Sequence, residues 1–212
     1  MAVVVAYRPD PDLLQRLLRA LSPQVAGGVV INNGSGLPLT DAALAELGFS
    51  VQHLGDNLGV AAALNKGFHW AGQQQADFVV SFDQDSEPAP DMVQQLLGAW
   101  QTLSSRGVPV AAVGPCQIDR RTGRTADFFA PIHGLRHRLI PAAGELAEVD
   151  HLITSGCLTA LPAWRQVGGF LEPLFIDYVD IEWSLRARSR GLQLFAVGSA
   201  TLQHATGDDV HH

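Results

Sequence analysis

The chain has 212 residues, 47% of them hydrophobic, with 14 basic and 21 acidic side chains and a formal charge of −7. That supplies one sizeable core, and an acidic balance with no Lys/Arg cluster along a face excludes a phosphate-tracking nucleic-acid protein, while leaving room for a nucleotide held through a metal. Two cysteines, Cys116 and Cys157, lack metal-ligand spacing, so nothing suggests a disulfide scaffold or a zinc site, and a reducing cytoplasm fits.

The N-terminus, MAVVVAYRPD, turns polar after six residues and reads as a first strand, Ala2 to Ala6, not a signal peptide; no run approaches membrane-spanning length. Asp10 and Pro11 then form an N-cap and first-turn proline ahead of Leu13, Leu14, Leu17, Leu18 and Leu21 at helical spacing. Val29 to Ile31 makes a second strand that ends in the polar glycine loop Asn32-Asn33-Gly34-Ser35-Gly36. A helix from about Thr40 to Leu47 and a short strand, Ser50 to Leu54, follow. Asp56-Asn57-Leu58-Gly59 turns into a helix with Val60, Leu64, Phe68 and Ala71 on one side. Phe78 to Phe82 has the composition of a buried strand and runs straight into Asp83, Asp85 and Glu87. Pro90 opens a further helix, stopped by Gly107, and Val110 to Val113 is apolar strand. The alternation is β-α-β-α-β-α-β-α-β.

Beyond Gly114 the texture changes. Arg120 to Arg138 is turn-rich and reads as loops and short antiparallel strands. Leu152 to Leu161 looks like a strand broken at Gly156, and Ala163 to Val167 like one helical turn. FIDYVDIEWSLRARSRG reads as a helix with Asp177, Asp180 and Glu182 in its first turn, and Leu192 to Val197 as a last strand. We expect one α/β domain over residues 1–212, with a nucleotide-binding half, 1–114, and a second half, 115–212.

In a parallel sheet, Asn32-Asn33, Asp56-Asn57 and Asp83-x-Asp85 all leave their strands at the C-terminal end, so they share the rim where ligands of open α/β sheets bind. Two carboxylates one residue apart suit a hard divalent cation holding a diphosphate, although such a tripeptide also serves as an acidic turn. Asn before Gly is equally ordinary turn chemistry. Lys66, the chain's only lysine, lies one turn into a helix starting at that rim, where it is either an exposed helical Lys or a phosphate contact. Asp177 can cap its helix, Asp180 can favour the helix dipole, and Glu182 can pair with Arg186 at i,i+4. Yet Asp180 lies between Val179 and Ile181, and a partly buried carboxylate beside a second acid is suited to act as a general base. His204 is either an ordinary half-exposed histidine or a third ligand beside the acid pair.

Taken together, these motifs resemble the family 2 inverting glycosyltransferases of the GT-A fold. The matching strings are Ala6-Tyr7-Arg8-Pro9, Asn32-Asn33-Gly34-Ser35, Asn57-Leu58-Gly59 with Asn65-Lys66-Gly67, and Asp83 to Asp85. Downstream, Gly168-Gly169-Phe170-Leu171-Glu172, Asp180 to Arg186 and His204 continue the match. FDQDSEP and FIDYVDIEW are similar to the bacterial rhamnosyltransferase branch, which uses dTDP-L-rhamnose to build cell-surface polysaccharide.

The resemblance implies a Rossmann-like donor half with a mixed central sheet and a smaller acceptor-side region. It puts the nucleobase and ribose near Tyr7, Asn32 and Asp83, with Asn57, Lys66 and Gln84 as further donor-binding positions. It puts Mg²⁺ or Mn²⁺ on Asp85 and His204 and makes Asp180 the catalytic base. Asn32 stands where the family usually has Asp, and Val179 where an acid commonly precedes the base, so Asp177 is a second candidate. The implied acceptor is a saccharide or a lipid-linked one, met in the cytoplasm or at the inner face of the membrane. Family members of this branch run past their late histidine, which implies a C-terminal portion beyond residue 212. The rival readings are a family 2 transferase using a UDP-sugar and a haloacid-dehalogenase-type phosphatase, the latter with its nucleophile in the same Asp-x-Asp and Gly207-Asp208-Asp209 as its later acidic pair; against the phosphatase, no lysine follows Lys66.

Overall fold

The computed structural model describes residues 1–34, 36–132 and 135–204, with the side chains of residues 131, 132, 135, 136 and 204 outside that description. β1 (Ala2–Ala6), β2 (Gly28–Asn32), β3 (Phe49–His53) and β4 (Phe78–Asp83) run parallel in the order β3-β2-β1-β4. All five residues of β1 are buried. Val3 and Val5 enter one core, with Val29 and Ile31; Ala2, Val4 and Ala6 enter the other, with Val30 and Phe82. Alternation along a strand buried on both faces produces this division, and such a strand requires a helical layer on each side.

The two layers are supplied as the leucine and aromatic spacings predict. α1 (Pro11–Leu21) buries Leu14, Leu17, Leu18 and Leu21 on one face of the sheet, beside Leu44 of α2 (Asp41–Glu46) and Met92 and Leu96 of α4 (Met92–Ser105). Its start is fixed by the Asp10 carboxylate, which accepts from the Asp12 and Leu13 N–H groups at 2.9 and 3.0 Å. On the other face lie α3 (Gly59–Gln73), α5 (Leu161–Val167) and α6 (Val179–Ser189). There Phe68 packs on Trp164 and Phe170, and Phe170 on Trp183.

The second half departs from the expected boundaries in instructive ways. β6 runs from Val110 to Asp119, well past Val113, because β11 (Gln193–His204) pairs beside it in parallel along that length. β11 in turn extends past Val197 by bulging between Val197 and Thr201 before pairing again with Cys116 to Asp119. Gly198 is required in that bulge, since a Cβ there would lie 1.9 Å from the Ala142 carbonyl oxygen. Of the segment expected as a strand broken at Gly156, only Leu158–Ala160 is strand (β10), and it runs antiparallel between β4 and β6. β5 (Glu87–Pro88) and β9 (Leu146–Val149) pair antiparallel with β11, and β7 (Phe128–Ile132) with β8 (Leu135–Leu139) forms a separate hairpin. The sheet is therefore mixed, with parallel strands on both sides of the reversed β10 and two further reversed strands, β5 and β9, against β11.

α6 begins at Val179, with Tyr178 at its N-cap in the left-handed region and no side-chain cap. Asp180 and Glu182 fall in its first turn, but Asp177 lies ahead of it and is exposed. The strained backbone at Tyr178, φ +62°, separates Asp177 from the helix, so the expected cap is not made.

Candidate active site

The C-terminal ends of β1, β2 and β4 open onto a cavity of about 390 Å³ lined by Tyr7, Asn33, Asn57, Asp83, Gln84 and Asp85, with Val5, Val60, Phe175 and Ile176 as its apolar walls. Several of these groups are oriented by a neighbour. The Gln84 side chain clamps the Tyr7 backbone, its Oε1 accepting from the Tyr7 N–H at 2.7 Å and its Nε2 donating to the Tyr7 carbonyl at 3.1 Å. Arg8 covers the outer face of the Tyr7 ring, 5.1 Å from its centroid.

The asparagines serve the start of α3. Asn33 Nδ2 donates to Asn57 Oδ1 at 3.0 Å, Asn33 Oδ1 accepts from the Leu58 N–H at 2.9 Å, and Asn57 Oδ1 accepts from the Gly59 N–H at 3.0 Å. Two amide side chains thus take up backbone donors that the first turn cannot satisfy internally. Gly34, at φ +85°, lets the loop pass against the Asp56 backbone, where a Cβ would lie 2.2 Å from the carbonyl carbon. Phe175 closes the same helix start: its carbonyl accepts from the Ala61 N–H at 3.2 Å, and its ring fills the space that a Gly59 side chain would need.

The acid turn is held from two directions. The Asp83 N–H donates to Ser155 Oγ at 3.1 Å, and Ser155 Oγ meets Ser86 Oγ at 2.5 Å. On the other side Arg120 pairs with Glu87 at 2.8 Å and reaches the Asp85 carbonyl at 3.4 Å. Asp180, in the first turn of α6, is not among the residues lining the cavity; it is half-buried, with Oδ2 accepting from the Thr154 N–H at 3.1 Å and Oδ1 from the Ile181 N–H at 2.8 Å. Its charge reaches Cys157, whose thiol is pushed up to about 12, chiefly by burial, with the Thr159 hydroxyl contact opposing and Asp180 adding.

Several predicted positions lie elsewhere. Asn32 is 5% exposed and shares a 2.9 Å hydrogen bond with His53 Nδ1, pointing along the sheet toward β3. It is Asn33, the second of the pair, that lines the cavity. Lys66 lies two turns into α3 and lines a separate depression with Gln52, His69 and Trp164. Glu182 makes its expected pair with Arg186, which also donates to the carbonyls of Val167 and Gly169 and so fastens the Gly168–Gly169 turn to α6. His204 ends β11 beside Asp119, and its side chain lies outside the described residues, as do Asp208 and Asp209. Sequence reasoning missed Ser155 and Thr154, hidden in a segment that reads as strand; their only signal was a polar pair before a glycine.

The donor set suits a hard cation. Asp83 and Asp85 offer carboxylate oxygens at the cavity, and Mg²⁺ or Mn²⁺ is commonly bound by one or two carboxylates together with substrate phosphates. Among the described residues there is no group of three or more His, Cys, Asp or Glu that could hold a metal.

With this geometry, the comparisons with known proteins acquire a structural meaning. The family model of Glycosyl transferase family 2 matches residues 2–148, a span from β1 through β9 that includes Asp83 and Asp85. The chain belongs to glycosyl transferase family 2. It is 29% identical over 213 residues to the dTDP-rhamnosyl transferase RfbF of Shigella flexneri, covering 98% of this chain and 69% of that protein. Among solved structures, 97% of this transferase superposes on GalNAc-T7, in a crystal with UDP, GalNAc and Mn²⁺, with a TM-score of 0.74 and 16% identity. It superposes equally fully on TarS of S. aureus, with a TM-score of 0.67 and 15% identity. The chain spans 43% and 36% of those two chains, and the likeness establishes the GT-A fold. Family membership sets the phosphatase reading aside. Among the described residues of this family 2 enzyme, no helix is long and apolar enough to cross a membrane.

Proposed function

We propose that the chain transfers L-rhamnose from dTDP-L-rhamnose to a hydroxyl of a saccharide or lipid-linked acceptor, with inversion at the anomeric carbon, in the synthesis of cell-surface polysaccharide. The observation that carries this reading is the convergence of Tyr7, Asn33, Asn57, Asp83, Gln84 and Asp85 on one cavity in a family 2 chain. The donor sugar follows the name of the S. flexneri relative.

In this reading the nucleoside lies along Tyr7 and Asn33, with Asp83 toward the ribose, and the diphosphate lies at Asp85. Mg²⁺ or Mn²⁺ held by Asp85 and His204 would neutralise charge on the departing diphosphate. Asp180 is the base. Each of its oxygens accepts one backbone N–H bond, which orients the carboxylate and leaves lone pairs for the acceptor's proton. As the acceptor oxygen attacks the anomeric carbon, its proton passes to Asp180, and the bond to the diphosphate oxygen breaks with its electron pair leaving on the nucleotide. Single displacement inverts the configuration.

A thermal-shift panel of dTDP, UDP, GDP and ADP, each with Mn²⁺, Mg²⁺ or EDTA, tests this without an acceptor. A nucleotide at 100 times its Kd adds about 2.7 kcal/mol, which for a chain of this size raises Tm by about 5–10 °C. The expected result is the largest shift with dTDP and metal. A larger shift with UDP would replace the donor, and no shift with any nucleotide would overturn the proposal.

A further inference from the structure

We propose that Ser155 is a positioning residue for the transfer, holding the Asp83–Ser86 turn and, through Thr154, fixing that turn relative to Asp180. The inference rests on the transferase reading of the site given above.

Two consecutive residues make the contacts, one to Asp180 and one to the acid turn. The Thr154 N–H donates to Asp180 Oδ2 at 3.1 Å. Ser155 Oγ accepts from the Asp83 N–H at 3.1 Å and meets Ser86 Oγ at 2.5 Å. Ser155 is 1% exposed, as is Ser86, so water does not substitute for these bonds.

The peptide carrying both contacts is itself pinned. The Thr154 carbonyl accepts from Ser81 Oγ at 2.8 Å, the Ser155 carbonyl from Gln117 Nε2 at 2.9 Å, and the Gly156 N–H donates to the Ser81 carbonyl at 2.7 Å. Gly156 stands at φ +81°, where a Cβ would lie 2.6 Å from Pro115. The segment therefore cannot swing without breaking bonds to β4 and β6. A displacement of the acid turn and a displacement of the base are then opposed by the same short stretch of backbone, which is how a site keeps its reacting groups in register.

A serine that served only the core would alter stability and leave ligand binding alone. We expect Ser155→Ala, measured in the full chain by calorimetric titration with dTDP, to weaken affinity about tenfold in Mn²⁺, the loss of roughly one buried hydrogen bond, and less than about twofold in EDTA. Ser155→Thr, which keeps the oxygen, should stay within about threefold of wild type. A folded Ser155→Ala protein that binds dTDP and Mn²⁺ like wild type would overturn the inference, as would an equal loss with and without metal. If Ser155→Ala does not fold, Ser86→Ala decides: it strips the Oγ contact but spares the Asp83 bond. A metal-dependent loss of about threefold supports the inference, and unchanged affinity overturns it. Wild-type protein that binds no nucleotide would overturn the transferase-site reading, and this inference with it.

Discussion

Asn65→Ala should be among the most damaging substitutions available outside the cavity. Asn65 is 8% exposed and makes three hydrogen bonds across 105 residues or more of chain: its Oδ1 accepts from the Phe170 N–H at 2.8 Å, and its Nδ2 donates to the Phe170 carbonyl at 2.9 Å and to Glu172 at 3.0 Å. Alanine leaves the two Phe170 backbone groups buried without these partners, at about 1–3 kcal/mol each, so a total near 4 kcal/mol is expected. For a chain of this length that lowers Tm by about 8–16 °C. Urea denaturation should show the same loss as a lower midpoint with an unchanged slope. Asn65→Asp keeps the acceptor but turns an oxygen toward the Phe170 carbonyl, and should be at least as harmful. A drop in Tm under about 2 °C for Asn65→Ala would refute the reasoning, because it would mean that the Gly168–Glu172 loop is held by other contacts.

Asp180→Asn is expected to lower the transfer rate by about 10²–10⁴-fold with dTDP affinity nearly unchanged; a wild-type rate would remove Asp180 as the base. Asp85→Ala should abolish the metal-dependent part of nucleotide binding, and equal calorimetric affinities with Mn²⁺ and EDTA in the wild type would contradict the metal assignment. Gly34→Ala combines a positive φ with a Cβ 2.2 Å from the Asp56 carbonyl carbon, so it should destabilise by more than about 1 kcal/mol and loosen the start of α3. The Cys157 thiol, raised to about 12, stays protonated in the folded chain while an unfolded thiol ionises near 9. Stability is therefore full below pH 9 and falls by up to about 1.4 kcal/mol per pH unit above it. Alkylation at pH 8 should be slow until the chain unfolds.

Those features that depend on local pattern were readable in the residues. Ala2 to Ala6 and Phe78 to Phe82 declared themselves as buried strands, and the leucines of α1 fell at helical spacing after an Asp-Pro start. The convergence of Asn57, Asp83 and Asp85 on one rim follows from parallel strand direction alone. What was hidden depends on which strand lies beside which. Leu158–Ala160 carries no mark of running antiparallel, since a buried three-residue strand looks the same in either direction. The choice between Asn32 and Asn33 is likewise a matter of pleat: β2 ends at Asn32, and a single residue decides whether an amide meets His53 or the cavity.

The reversed strand β10 bears on how such a chain folds. β4 and β6 are separated by 26 residues and do not pair with each other; the sheet between them is completed by residues 158–160, which lie roughly forty residues beyond the end of β6. Without residues 155–160, β4 would present an open edge, and the acid turn at its end would lack the Ser155 that holds it. Pairing across so long a stretch is slow, because the loop must close before any contact rewards it. A fragment ending at Gly114 would therefore carry most of the cavity-lining residues and still be prone to aggregate along β4. Such a fragment holds the carboxylates of the cavity without the strand and the serine that lock them in place.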